Sequence, residues 1–199
     1  AVIPYCVQDE VSKAIGSVNT VVNREGTLYA YNTDCLGFLY MATEAGITFT
    51  GKKVVVLGSG GTAKTAVYVA RQEGASEIVV VSRSGANISE VFGDVKTADY
   101  TQTEAYQDAQ IIVNTTPLGM YPNVQAQAVD LDVFAKAEAV VDVVYNPLLT
   151  ALTLQAKKKG LKYVNGLPML VAQAYFAQRY FYNEEPKVKP GDEVLLKQV

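Results

Sequence analysis

The pattern of apolar and polar positions changes along the chain, and its first part predicts an α+β unit. Residues 18–22 form a β-branched stretch, Asn23-Arg24-Glu25-Gly26 is a turn signal, and apolar residues return at 28–31. This order predicts a β-hairpin. Thr33 or Asp34 can then cap a helix whose apolar residues keep helical spacing.

From Lys53 onward, short unbroken apolar runs alternate with helical stretches. Such runs are typical of strands that are buried on both faces of a sheet. The predicted strands are residues 54–57, 78–81, 111–113, 140–144 and 163–164. Three helices are predicted in this part. One follows the first of these strands, and the other two cover residues 149–159 and 167–182. This alternation predicts an α/β fold, a doubly wound parallel sheet with right-handed crossovers and helices on both faces.

The last helix and the tail are less regular. The apolar stripe of the helix is predicted to hold Leu170, Ala174, Ala177 and Phe181, together with Gln173. Residues 183–199 are polar, contain two prolines and predict a tail or linker. The alternation at residues 192–197 fits either a stray strand or the start of a further domain.

Composition excludes several classes of function. The chain has 199 residues, a formal charge of −3 and no histidine, which gives no reason to expect nucleic acid or a membrane as partner. It lacks an 18-residue apolar run and a secretory signal pattern, so we expect a cytoplasmic protein. Cys6 and Cys35 have no metal-ligand spacing, no metal is expected, and acid–base chemistry must use Asp, Glu, Lys or Tyr.

A glycine cluster directly follows the first predicted strand of the second part and precedes a helix. Its residues are Gly58, Ser59, Gly60, Gly61, Thr62 and Ala63. They fit G-x-G-x-x-A, in which glycines permit a tight turn and close approach of a pyrophosphate, which the helix N-terminus then attracts. An ordinary glycine-rich turn is the alternative. The position between strand and helix favours a Rossmann-type dinucleotide site.

The end of the second strand of that unit indicates which dinucleotide binds. NAD enzymes usually place Asp or Glu there to hold the ribose hydroxyls. This chain has Ser82, Arg83 and Ser84 instead. A guanidinium can pair with a 2′-phosphate that a carboxylate would repel. The sequence therefore favours NADP, although Arg83 could also be a solvated surface residue.

Further polar residues end several predicted strands. Asn19 lies within the first hairpin strand and Asn32-Thr33-Asp34 ends the second, so an amide and a carboxylate could converge. The segments 114–120 and 145–147 follow two strands of the sheet at the edge where such sheets bind ligands. Each has a structural alternative, namely a helix cap for Asp34, a turn for residues 114–120 and a strand end at Pro147.

Taken together, the motifs closely resemble those of the shikimate dehydrogenase family. The resemblance runs in order from about Ala1 to Tyr182. It rests on Ile15-Gly16-Ser17-Val18-Asn19-Thr20, Tyr31-Asn32-Thr33-Asp34, Gly37-Phe38, the glycine cluster, residues 114–120, Asp142-Val143-Val144-Tyr145-Asn146-Pro147 and Asn165-Gly166-Leu167-Pro168-Met169-Leu170.

The resemblance implies NADP-dependent, reversible reduction of 3-dehydroshikimate to shikimate. It implies that Asn19, Asp34, Tyr145 and Gln173 bind the substrate, and that Asp34 is the acidic half of a catalytic Lys–Asp pair. It implies that Gly58, Ser59, Gly60, Gly61, Thr62, Ser82, Arg83 and Ser84 hold the adenosine phosphates. Thr116, Val143 and Gly166 would line the nicotinamide site.

The resemblance also implies a domain organisation. Residues 1–50 would be the C-terminal remnant of a substrate-binding domain, 51–166 the NADP-binding domain, 167–182 a helix returning to the substrate domain, and 183–199 a tail. The family's lysine segment, N-V-T-x-P-x-K, should lie just before Ala1, so we expect a C-terminal piece lacking roughly the first quarter. Such a piece should bind NADP(H), turn over substrate poorly, and be a monomer or homodimer.

Two other functions stay open at this point. A quinate/shikimate dehydrogenase would share these motifs, although the absence of an acidic residue at Ser82 argues against the NAD preference common there. A catalytically silent NADP(H)-binding module would need neither Asp34 nor Asn19 nor Gln173, so their presence argues against it.

Overall fold

The computed structural model describes residues 2–83 and 89–188 and contains two sheets. The strands are β1 (Val7–Gln8), β2 (Thr20–Arg24), β3 (Thr27–Tyr31), β4 (Lys53–Leu57), β5 (Glu77–Val81), β6 (Lys96–Ala98), β7 (Ile111–Asn114), β8 (Ala139–Asp142) and β9 (Lys162–Val164). The α-helices are α1 (Glu10–Ile15), α2 (Asp34–Glu44), α3 (Gly61–Gln72), α4 (Ser89–Phe92), α5 (Ala151–Lys158) and α6 (Leu167–Phe181). None of these described helices is long and apolar enough to cross a membrane.

The small sheet contains the predicted hairpin and one further strand. β2 and β3 pair in antiparallel fashion, with Thr20 opposite Tyr31, and β1 pairs in parallel with β3. Glu25 and Gly26 form the turn, both with positive φ. Two details differ from the sequence prediction. The first hairpin strand begins at Thr20, so Asn19 lies just before the strand and not within it. In addition, β1 and α1 were not predicted. Both of these elements are short, and short elements give little periodicity to detect.

The large sheet has six parallel strands in the order β6-β5-β4-β7-β8-β9. Starting from β4, the chain first adds β5 and β6 on one side and then returns to add β7, β8 and β9 on the other side. This reversal confirms the doubly wound α/β fold. β4, β5, β7 and β8 are almost entirely buried because helices or loops cover both faces. The predicted strand at 140–144 ends earlier, at Asp142, and the three-residue β6 was not predicted.

Helix α6 packs across α2 rather than standing free. The approach is close: a Cβ on Gly37 of α2 would lie 2.8 Å from the Met169 carbonyl oxygen of α6. At its other end α6 reaches the small sheet, where the rings of Tyr180 and Tyr31 stack at 3.9 Å.

The predicted apolar stripe of α6 is wrong. Leu170, Ala174 and Phe181 are exposed, whereas Ala172 and Phe176 are buried against Tyr40 of α2. The helix has apolar residues on several faces, and the close packing with α2 decides which of them is buried. Periodicity within one helix cannot supply that information. Ser84 and the alternating segment at 192–197 lie outside the described residues.

Candidate functional site

The glycine cluster forms an open turn between β4 and α3. Gly58 has φ +105°, a conformation that favours glycine, and a Cβ there would lie 2.8 Å from Oγ1 of Thr115. Gly60 occupies the N-cap of α3, and no side-chain hydrogen bond caps that helix. A Cβ on Gly60 or Gly61 would meet nothing within 4 Å. The helix N-terminus is therefore open to an anionic ligand, and the residues present fit a pyrophosphate.

The end of β5 places the residues predicted to select NADP beside this turn. Ser82 is buried, and its backbone N–H donates to the Ala98 carbonyl oxygen of β6 at 3.1 Å. Arg83 is exposed. Burial raises the pKa of Tyr100, and the positive charge of Arg83 acts in the opposite direction. The exposed side chain of Arg83 is therefore accessible at this strand end.

Asp34 is held at the start of α2 by an arrangement of amide side chains. Its backbone N–H donates to Oδ1 of Asn32 at 3.0 Å, and Nδ2 of Asn32 donates to the Ser17 carbonyl oxygen at 3.1 Å. Oδ1 of Asn19 accepts from the backbone N–H of Thr33 at 3.0 Å and from its hydroxyl at 3.2 Å. These bonds fix the end of β3 against the residues before β2, as the predicted convergence of Asn19 and Asp34 requires.

The carboxyl group of Asp34 has a perturbed pKa. Burial raises the pKa above its ordinary value, and a side-chain hydrogen bond with Asn19 acts against that increase. Thr33, rather than Asp34, occupies the N-cap position of α2, and its side chain makes no capping hydrogen bond. The Asp34 carboxylate is therefore not needed as a helix cap, and it faces a cleft.

That cleft has a volume of about 320 Å³ and brings together residues from distant parts of the chain. Its lining residues are Asp34, Thr62, Val143, Tyr145, Gly166, Met169, Leu170 and Gln173. Predicted substrate residues and predicted cofactor residues thus share one space. Asn19 does not line the cleft, but it bonds to Thr33, the neighbour of Asp34.

The floor of the cleft is formed where Val143, the residue after β8, meets Gly166, the residue before α6. A Cβ on Gly166 would lie 2.0 Å from the Val143 carbonyl oxygen, so only glycine fits at this position. The Gly166 N–H donates to the Val144 carbonyl oxygen at 3.0 Å. About two turns further along α6, Nε2 of Gln173 donates to the Leu170 carbonyl oxygen at 3.0 Å, which leaves its amide oxygen available.

Thr116 lies on the loop after β7 and is oriented by Asn114. Oδ1 of Asn114 accepts from the backbone N–H of Thr116 at 3.1 Å and from its hydroxyl at 2.7 Å. The neighbouring Thr115 hydroxyl donates to the Leu57 carbonyl oxygen at 2.7 Å. The loop is therefore tied to the ends of β4 and β7, next to the glycine turn.

Sequence reasoning gave no role in the functional site to three residues that the structure places there. Met169 and Leu170 line the cleft, and Asp142 is buried directly beneath the loops that carry Thr116 and Tyr145. All three belong to motifs quoted for the family resemblance, which was the available signal. A larger cavity, of about 550 Å³, lies at the amino-terminal edge of β5 and β6 beside Arg71 and contains no predicted site residue.

Comparison with known proteins gives one family and several relatives. Residues 53–146 match the family model described as NADP oxidoreductase coenzyme F420-dependent. A shikimate dehydrogenase (NADP(+)) of Clostridium perfringens is 40% identical over 169 residues, covering 84% of this chain and 62% of that protein. One of Moorella thermoacetica is 34% identical over 207 residues, covering 98% of this chain and 70% of that protein.

Among solved structures, a chorismate mutase/shikimate 5-dehydrogenase fusion protein from Clostridium acetobutylicum superposes with a TM-score of 0.89. It is 32% identical, and the match covers 99% of this chain and 71% of that one. The chain thus spans less than two thirds of the length of the Clostridium perfringens relative, and slightly more than two thirds of the length of the other two proteins.

Proposed function

This chain belongs to the shikimate dehydrogenase family, and we propose that it carries the cofactor site and part of the substrate site of an enzyme that interconverts 3-dehydroshikimate and shikimate with NADP(H). The observation that carries the proposal is the shared cleft. Asp34, Tyr145 and Gln173, from three distant elements, face the same space as Val143 and Gly166.

In this proposal the residues at the carboxyl edge of the large sheet would hold the cofactor. The turn from Gly58 to Gly61 and the open N-terminus of α3 would hold its pyrophosphate. Its 2′-phosphate meets Arg83, at a strand end that has no carboxylate to repel it. NADP supplies the hydride acceptor when bound, and Thr116, Val143 and Gly166 border the space for its nicotinamide. The names of the curated relatives, which specify NADP(+), support this choice.

The substrate side of the cleft is suited to a polyhydroxylated ring. Asp34 can accept a hydrogen bond from a substrate hydroxyl, Tyr145 can donate or accept one, and the Gln173 amide can do both. Oxidation of the alcohol also releases the hydroxyl proton. The partly buried Asp34 carboxylate, restrained by Asn19, is placed to hold that hydroxyl during the oxidation.

A lysine beside Asp34 is the component that the described residues do not supply. Of residues 2–83 and 89–188, no lysine lines the cleft. We propose that the lysine of the N-V-T-x-P-x-K segment pairs with Asp34, and that the 199-residue chain by itself turns over slowly. Loss of a general acid–base group commonly lowers the rate by about 10²–10⁴-fold.

The test is shikimate-dependent reduction of NADP⁺, measured in parallel on this chain and on a form extended at Ala1 by the lysine-bearing segment. We expect NADPH binding by both and turnover only by the extended form. Asp34→Ala should abolish that turnover and leave NADPH affinity nearly unchanged. Asp130→Ala is the matched control, because Asp130 caps a short 3₁₀ helix (Leu131–Val133) and lies outside the cleft; it should change neither quantity.

The outcomes separate this proposal from its two competitors. An extended form that binds NADPH and oxidises quinate in preference to shikimate would make the protein a quinate dehydrogenase. A form that binds NADPH and oxidises neither compound would support a silent binding module and refute the substrate assignment. The convergence of Asp34, Tyr145 and Gln173 favours the enzyme, because a module that only binds a dinucleotide has no use for them.

A further inference from the structure

Asp142 is a buried carboxylate to which the reaction gives no direct role. It is the last residue of β8 and is fully inaccessible to solvent. Among residues 2–83 and 91–188, it is the only buried Asp, Glu, Lys or Arg. A charge without solvent or a partner is strongly unfavourable, so a buried carboxylate needs a compensating arrangement of donors.

That arrangement consists of hydrogen bonds alone. Nδ2 of Asn114 donates to Oδ1 of Asp142 at 2.9 Å, and the backbone N–H of Val144 donates to the same oxygen at 3.1 Å. The Thr150 hydroxyl donates to Oδ2 at 2.6 Å. Burial raises the pKa of Asp142, and these three bonds act in the opposite direction. Both carboxylate oxygens are therefore needed, each for a different partner.

The partners of Asp142 belong to two different loops. Asn114 is the residue opposite Asp142 in the β7–β8 register, and it orients Thr116 on the loop after β7. Thr150 ends the loop after β8 that carries Tyr145, and it is the N-cap of α5. We call the side chains of Asn114, Asp142 and Thr150 the Asp142 network.

The two loops also contact one another above this network. The backbone N–H of Tyr121 donates to the Asn146 carbonyl oxygen at 3.0 Å. A Cβ on Gly119 would lie 3.1 Å from Cβ of Thr150, so the loops are closely packed. Their relative placement sets the separation between Thr116 on one side and Val143 and Tyr145 on the other.

We propose that Asp142 is a positioning residue, which fixes the loops after β7 and β8 in the spacing that the nicotinamide half of the cofactor requires. This inference rests on the proposed binding of NADPH and adds a determinant of how its reactive half is held. In the proposed binding mode, the adenosine half depends on the turn after β4 and on the end of β5. The three hydrogen bonds that Asp142 accepts come from Asn114, Val144 and Thr150, none of which belongs to those two segments.

Two substitutions break the network to different extents. Asp142→Asn keeps the shape but replaces one carboxylate oxygen with an NH2 group, so the position facing either Asn114 or Thr150 can no longer accept a hydrogen bond. Asn114→Ala removes the link to Thr116 from the other side. Asp130→Asn is the matched control, since it makes the same chemical change at an exposed aspartate that also accepts from backbone and side chain.

The experiment compares two ligands on the 199-residue chain. NADPH contains both halves of the cofactor, whereas adenosine 2′,5′-bisphosphate lacks the nicotinamide half. We expect Asp142→Asn to weaken NADPH binding about tenfold, which corresponds to about 1.4 kcal/mol, and to leave the bisphosphate affinity unchanged. The fluorescence emission of bound NADPH should also shift toward that of free NADPH. Asn114→Ala should show the same selectivity, and Asp130→Asn should match the unsubstituted chain for both ligands.

The opposite results are distinct. An equal loss of affinity for both ligands would show that Asp142 supports the fold in general, and it would overturn the inference. Unchanged NADPH affinity and emission in both variants would also overturn it. If Asp142→Asn does not fold, Asn114→Ala decides by the same criterion. Failure of the unsubstituted chain to bind either ligand would refute the proposed cofactor and this inference with it.

Discussion

Replacement of Gly166 by alanine tests whether the floor of the cleft depends on contact between two backbone segments. Gly166 has φ −75° and ψ −6°, which any residue can adopt, so alanine introduces no torsional strain. The obstacle is a contact. The new Cβ would lie 2.0 Å from the Val143 carbonyl oxygen and 2.5 Å from its carbonyl carbon. Neither atom can move by a change of rotamer.

The size of the effect follows from that geometry. The segments must separate by about 1 Å or more before the contact becomes tolerable, and overpacking of this kind typically costs about 1–3 kcal/mol. The same movement lengthens the 3.0 Å hydrogen bond from the Gly166 N–H to the Val144 carbonyl oxygen, which contributes about 1 kcal/mol. We therefore expect a loss of about 2–4 kcal/mol and a Tm lower by about 5–15 °C for a chain of this size.

Thermal and urea unfolding of Gly166→Ala measures this loss. Gly61→Ala is the matched control, because a Cβ there meets no atom within 4 Å and Gly61 lies in a helix, where alanine is the better helix former. The control should melt at or slightly above the temperature of the unsubstituted chain. Gly166→Ala melting within about 2 °C of the unsubstituted chain would refute the reasoning, since a shift that small is worth less than about 1 kcal/mol.

Three further predictions concern charge and reactivity. Arg83→Ala should weaken NADPH binding roughly tenfold or more and leave NADH binding unchanged, because hydrogen bonds to charged groups contribute about 1.5–3 kcal/mol; titration with both dinucleotides measures this, and equal losses would contradict it. Asp34→Asn should raise the free energy of unfolding at pH 7. Burial raises the pKa of Asp34 in the folded chain above its value in the unfolded chain, which is about 3.9. At pH values between these two pKa values the folded chain binds more protons than the unfolded chain, so the free energy of unfolding falls as pH rises. Urea unfolding should show the gain at neutral pH and its disappearance below the unfolded pKa; a gain that persists in acid would contradict it. Burial first, and then the negative charges of Asp34 and Asp9, raise the pKa of Cys35 to about 12, so a thiol reagent at pH 8 should label Cys6 rapidly and Cys35 only on unfolding; rapid labelling of both in the folded chain would contradict it.

Local features of the site could be predicted from the sequence because they depend on neighbouring residues. The turn at Gly58 needs a backbone conformation that glycine favours, and its place between a buried strand and a helix follows from the order of residues alone. The absence of an acid at Ser82 is equally local. The apolar runs at residues 54–57 and 78–81 predicted buried parallel strands for the same reason, and both strands are present.

The errors occurred where distant segments decide the outcome. The stripe on α6 was wrong because its buried face is set by α2, which approaches closely at Gly37. β1 and β6 are two and three residues long and exist as strands only through pairing with β3 and β5. Such pairings are formed across long stretches of chain, and no periodicity within the short segment records them.

The sequence by itself determined the fold class, the glycine turn between β4 and α3 and the identity of the polar residues that end the strands, since each of these depends on backbone conformation or on order along the chain. Only the tertiary structure decided that Asp34, Tyr145 and Gln173 face one cleft, and that the carboxylate of Asp142 joins two loops from beneath. The physical reason is that sheet register and the packing of α6 on α2 fix distances between residues far apart in sequence. Hydrogen bonds and buried charge then depend on those distances.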